Sequence, residues 1–64
     1  MNISKKKIEI IMATKGLMVK DVTSRSGVTK GNFSLIRQRG TCNPVTAGRI
    51  AGALGVDVTE ILAD

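Results

Sequence analysis

The apolar residues of this chain recur at three- and four-residue intervals, and the stretches they define are cut short by glycine, asparagine and proline. That spacing places them on one stripe of a helix, and such a stripe must be buried against other helices. Alternation of the strand kind is missing. The pattern therefore predicts an all-α bundle of five short helices. A compact unit usually takes on the order of 100 residues, so 64 residues are expected to form a single domain, 1–64. At roughly 0.05 to 0.15 kcal/mol per residue its stability should total about 3 to 10 kcal/mol.

The first helix is expected over about residues 4–15, with Ile8, Ile11 and Met12 on its inner face. Ser4 or Asn2 caps it, and Gly16 supplies a left-handed end. The second covers about residues 19–26, burying Val19, Val22 and Thr23 and stopping at Gly27. Met18 stands where a capping oxygen is normally found. The third opens on Thr29 as cap, with Val28 and Phe33 as a hydrophobic staple and Phe33 and Ile36 facing inward. The fourth has Asn43 as cap, Pro44 at its first position and Gly55 at its end. Ala47, Ile50, Ala51 and Leu54 form its stripe. Asp57 and Glu60 make a capping box for a fifth helix over about residues 58–63, stapled by Val56 onto Ile61. Val58, Ile61 and Leu62 either close the core or form a small apolar contact with a second copy.

Composition removes whole classes of function. The chain has no His, Trp or Tyr and one Cys, Cys42, so a His-based triad, a Cys/His metal site and a disulfide framework are excluded. No enzymatic activity, metal or cofactor is expected. The longest apolar run, Ile10 through Ala13, is too short for a signal peptide or a membrane span. A reduced, cytoplasmic protein is the expectation.

Charge supplies the first positive indication. Ten Lys/Arg against five Asp/Glu give +5, and residues 22–56 carry Arg25, Lys30, Arg37, Arg39 and Arg49 with no acid. A polyanion is the natural partner of such a surface. Lys5, Lys6 and Lys7 fall in the first turn of a helix, where the dipole disfavours cations. They are either phosphate contacts or a solvated face.

The informative segment spans about residues 19–38. A two-turn helix, a tight turn at Gly27, Val28 and Thr29, and a second helix with a polar, basic outer face follow helix-turn-helix grammar. Gly27 lets the chain reverse through a left-handed backbone, Val28 fills the gap, and Thr29 restarts the helix. Such a second helix can enter the major groove of duplex DNA. With Phe33 and Ile36 inward, Lys30, Gly31, Ser34, Leu35 and Gln38 face outward, and Asn32 and Arg37 lie at the flanks. Lys30 can donate to guanine or to a phosphate, Asn32 can pair with adenine, and Leu35 either packs on a thymine methyl or joins the core. Gly31 lowers helix propensity. Either the backbone there approaches DNA closely, or a side chain would strike the second or fourth helix. Gln38, Arg39, Thr41 and Asn43 are expected in a polar loop leading to the positive end of the fourth helix, suited to gripping a phosphate.

Taken together, Val22-Thr23, Ser26-Gly27-Val28-Thr29, Phe33-Ser34-Leu35-Ile36, Arg39-Gly40, Asn43-Pro44 and the run Arg49-Ile50-Ala51-Gly52-Ala53-Leu54-Gly55-Val56 resemble the phage repressor and Cro-type helix-turn-helix family, the lambda repressor-like fold. The resemblance covers nearly the whole chain. It implies a five-helix domain whose third helix reads double-stranded operator DNA, usually as a homodimer on a two-fold site. It puts Lys30, Gly31 and Leu35 among the base readers, Thr29 and Asn32 at base or phosphate contacts, and Gln38, Arg39 and Thr41 on the DNA backbone. The chain departs from the family at Val19, commonly a phosphate-contacting Gln, at Met18, commonly a polar cap, and at Arg37, frequently a Glu. The segment near Gly40 is also one residue longer. Two functions follow as alternatives: a small phage or mobile-element regulator, or an interaction module that pairs with a separate repressor or toxin.

Overall fold

A computed structural model describes residues 1–63. Four α-helices, Lys5–Lys15 (α1), Val19–Ser26 (α2), Lys30–Arg39 (α3) and Pro44–Leu54 (α4), are followed by a 3-10 turn, Val58–Ile61. There is no strand among the described residues, only two isolated antiparallel bridges, Asn2 with Thr41 and Ile3 with Leu62.

Each helix begins where a side-chain oxygen can take an orphan backbone N–H. Ser4, Thr29 and Asn43 accept from Lys7, Asn32 and Thr46 respectively. Before α2 Met18 has no oxygen to offer, and only half of a capping box forms: Asp21 Oδ2 accepts the Met18 N–H at 2.8 Å. Gly16, Gly27, Gly40 and Gly55 all adopt left-handed backbones and end the four helices. The turn to which this matters most is Gly27, at φ +75°, because only three residues separate α2 from α3.

The core is built on Ile8, Val22, Phe33, Ile50, Leu54 and Ile61, all essentially inaccessible to solvent. Ala47 and Ala51 are buried with them, and these small side chains let α4 lie close against α2. Lys15 ties α1 to the far end of α4, donating to the Leu54 and Gly55 carbonyls at 2.7 and 3.2 Å, where the helix leaves acceptors unpaired.

Two boundaries differ from the sequence reading. Gln38 and Arg39 lie in the last turn of α3 and not in a loop, because Gly40 is the first residue after Ile36 that turns left-handed, its N–H reaching the Ile36 carbonyl at 2.8 Å. The expected fifth helix over residues 58–63 is a single 3-10 turn ending at Ile61. Its continuation is taken by the start of the chain: Ser4 N–H donates to the Ile61 carbonyl at 2.8 Å, Ala63 N–H to the Asn2 carbonyl at 3.1 Å, and Lys7 Nζ to the Leu62 carbonyl at 2.9 Å. Ile61 closes the core, while Val58 and Leu62 are half-buried.

The same N-terminal residues also hold the loop after α3. Ile3 N–H reaches the Gly40 carbonyl at 2.9 Å, Cys42 N–H the Met1 carbonyl at 3.1 Å, and the terminal ammonium the Cys42 carbonyl at 3.0 Å. Ile3 is itself buried. The first four residues are thus a strap between the loop and the last turn. Cys42 is half-buried, and that burial pushes its thiol pKa up against the opposing pull of the nearby ammonium.

The 3-10 turn carries a pH dependence. Asp57 accepts from the Thr59 N–H and hydroxyl, both at 2.9 Å, and these bonds hold its carboxyl below its ordinary pKa. A depressed folded pKa contributes stability above the unfolded value that is lost as pH falls through the folded one. Stability should therefore decline on acidification below the ordinary aspartate range, and Asp57→Asn should flatten that decline in acid denaturation followed by circular dichroism.

Candidate nucleic-acid interface

The turn between α2 and α3 is braced from within. Ser26, buried at the end of α2, accepts the Val28 N–H on its Oγ at 3.2 Å, and Val28 is buried beside it. The Thr29 hydroxyl accepts the Asn32 N–H at 3.2 Å, leaving its own O–H to donate outward. Phe33 and Ile36 are the inward anchors of α3. This bracing sets the direction in which the other face of α3 points.

On that face Lys30, Gly31, Asn32, Ser34, Leu35 and Gln38 are all exposed. Leu35 is 44% exposed, so the core alternative for it is excluded. Gly31 also resolves: a Cβ built there meets nothing within 4 Å, so no neighbouring helix requires glycine. Lys30, Ser34 and Gln38 follow one another at four-residue steps and form one stripe. Arg37 sits at the edge of this face, half-buried, its guanidinium carbon 4.6 Å from the centre of the Phe33 ring.

Beyond α3 the expected phosphate residues are more dispersed. Arg39 is exposed in the last helical turn, Thr41 is exposed but bridged to Asn2, and Asn43 is exposed at the cap. Asn43 Oδ1 is engaged by the Thr46 N–H at 2.8 Å, and its carbonyl takes the Ala47 N–H at 3.0 Å. Pro44 has no N–H, so Val45 contributes the one first-turn amide without such a partner. The positive end of α4 therefore offers an anion less than the sequence reading expects. Of the three lysines in the first turn of α1, Lys5 and Lys6 are exposed, whereas Lys7 is half-buried and bonded to the Leu62 carbonyl.

Several of these features were not in the sequence reading. The Ser26 brace has a local signature, a hydroxyl two residues before an amide that must turn. So has Asp21, an acid at the third position of a helix. The stacking of Arg37 on Phe33 has a four-residue spacing but no motif.

A braced turn that holds out a basic, solvent-facing helix is the arrangement of a helix-turn-helix DNA-binding domain. The family model of the Cro/C1-type helix-turn-helix DNA-binding domain matches residues 7–64, and the chain belongs to that family. No curated protein and no solved structure matches the chain. No helix among the described residues is long and apolar enough to cross a membrane.

Proposed function

We propose that this chain is a sequence-specific transcription regulator, a small repressor or Cro-like switch of a phage or other mobile element, acting in the cytoplasm. In this reading residues 1–64 are one DNA-binding domain and α3 lies in the major groove. Lys30, Asn32, Ser34 and Leu35 read base edges, Gly31 lets the backbone come close, and Thr29, Gln38, Arg39, Thr41 and Asn43 hold phosphates. The observation that carries this reading is the open face of α3, where Gly31 has free space above it and the surrounding residues 22–56 contain no acid. One short helix covers a few base pairs only, so two copies on a two-fold site, with half-sites about 34 Å apart, are the natural reading unit.

Salt-titrated binding combined with selection from random duplexes tests it. Affinity should fall with log salt at a slope of about 0.9 per phosphate contacted, and selection should return a two-fold sequence. Weak binding that ignores ionic strength would refute the reading.

Gly31→Ala separates folding from binding. With no neighbour to strike, alanine should raise stability by up to about 1 kcal/mol through helix propensity, read by urea denaturation. Its methyl should at the same time weaken DNA binding several-fold. Unchanged affinity would mean that the backbone does not approach the groove there.

A second reading, an interaction module for a separate repressor or toxin, draws on apolar side chains left exposed: Met18 at 61% and Val45 at 66%. Retention of DNA binding by the purified chain alone decides against it.

A further inference from the structure

Between α1 and α3 lies an open depression of about 310 Å³, lined by Lys5, Glu9, Ser34, Arg37 and Gln38. We propose that this depression seats one backbone phosphodiester of bound DNA, gripped by Arg37 and Lys5 beside the base-reading face of α3. The proposal rests on the DNA-binding reading above and adds to it a contact from α1 and from a residue outside the base-reading stripe.

Arg37 is the centre of the argument. Its guanidinium lies over the Phe33 ring, which is fully buried and cannot move away. Its Nε is covered and has no hydrogen-bond partner, and no acid pairs with it among the described residues. A buried donor left unsatisfied calls for a reason. Here a ring face fixes the plane of the group, where an acid would have neutralised it, and the stacking of Arg on an aromatic face is a recognised way to do so. The result is a held cation whose terminal nitrogens remain for an outside acceptor.

The neighbours fit a phosphodiester in charge and in donors. Lys5 adds a second cation from the exposed first turn of α1, and the Gln38 amide adds a neutral donor. Glu9 subtracts one charge, leaving the rim at +1. A phosphodiester carries a single negative charge, whereas free inorganic phosphate near neutral pH carries more, and a carboxylate at the rim penalises the excess. Position agrees as well. Ser34 and Gln38 belong to the Lys30 stripe, so the depression opens onto the same surface that faces the groove, on its α1 side.

The test compares the full chain with Arg37→Met, Lys5→Gln and Glu9→Gln, on a random-sequence duplex across a salt series. Methionine keeps the apolar stem over Phe33, and Lys5 is exposed, so thermal melts should show both variants folded. Each should bind about 5- to 10-fold more weakly at low salt, with a salt slope shallower by about 1, the loss of one phosphate contact. Glu9→Gln should bind a few-fold more tightly. Selection from random duplexes should return the wild-type sequence for Arg37→Met.

Wild-type slopes in both cation variants would overturn the seat while leaving DNA binding intact. A changed base preference for Arg37→Met would overturn it in favour of base reading. Should the wild-type chain bind no duplex, the functional reading fails, and the seat is then judged with dimethyl phosphate. A shift of the Arg37 side-chain nitrogen signal, absent with chloride at equal ionic strength, supports a diester site; no shift overturns it.

Discussion

Replacing Phe33 by alanine should leave much of the chain unfolded at room temperature. It is the chain's only aromatic residue, it has no exposed surface, and it lies where α3 meets the rest of the core. Phe→Ala in a core costs about 3 to 5 kcal/mol, against a total of about 3 to 10 kcal/mol for a chain of this size. The loss is thus comparable with everything that holds the protein together. Far-ultraviolet circular dichroism against urea is the suitable measurement, since there is no Trp or Tyr to follow by fluorescence. Phe33→Leu, which keeps most of the volume, should cost less than about 1.5 kcal/mol and remain folded. A wild-type midpoint for the alanine variant would show that the core closes without the ring.

The second large effect belongs to Ile3. Changing it to aspartate puts a carboxylate at a site 3% exposed, among the apolar side chains of the core. Burying a polar group without a partner costs about 2 to 7 kcal/mol, and an isolated charge more, so such a group escapes to water where it can. Escape here means release of the strap, and with it the bonds from Ile3 to Gly40, from Cys42 to Met1 and from Ala63 to Asn2. The chain should lose several kcal/mol of stability, or else keep its helices and lose protection of those three amides in hydrogen exchange. Wild-type protection of Cys42 and Ala63 would show that the strap does not depend on its apolar anchor.

Both residues illustrate what can be read from this sequence. Phe33 is legible because it sits at helical spacing from Ile36 and four residues past a capping threonine. Local signals mark the helices, a glycine after each of the four and a capping side chain before α1, α3 and α4, because helix ends are satisfied by neighbours a few residues away. Ile3 is not legible in this way. Its partners are Gly40 and Leu62, far along the chain, and no local pattern announces a bond between residues 3 and 40. The mistaken fifth helix has the same origin: Asp57 and Glu60 do form their box, but the residues meant to extend it are claimed by the strap. The placement of Gln38 and Arg39 in a loop came from expecting α3 to end early, whereas nothing before Gly40 stops it.

For the interface, the outward face of α3 follows from the periodicity once Phe33 and Ile36 are placed. Solvent exposure of Leu35 and open space at Gly31 do not, because both depend on how far α2 and α4 reach. Arg37 is the clearest case of chemistry hidden from the sequence. No acid pairs with it among the described residues, and only the position of the Phe33 ring shows what holds it.

The strap also bears on the order in which the molecule can be completed. Synthesis runs from the N-terminal side to the C-terminal side, yet Asn2 and Ile3 find their partners only once residues 40–42 and then 61–63 have been made. Closing such wide loops is entropically costly and comes late, while α2, its turn and α3 require contacts no more than about twenty residues apart. On a translating ribosome, residues 2 and 3 leave before either of their partners and are among the last to take their place.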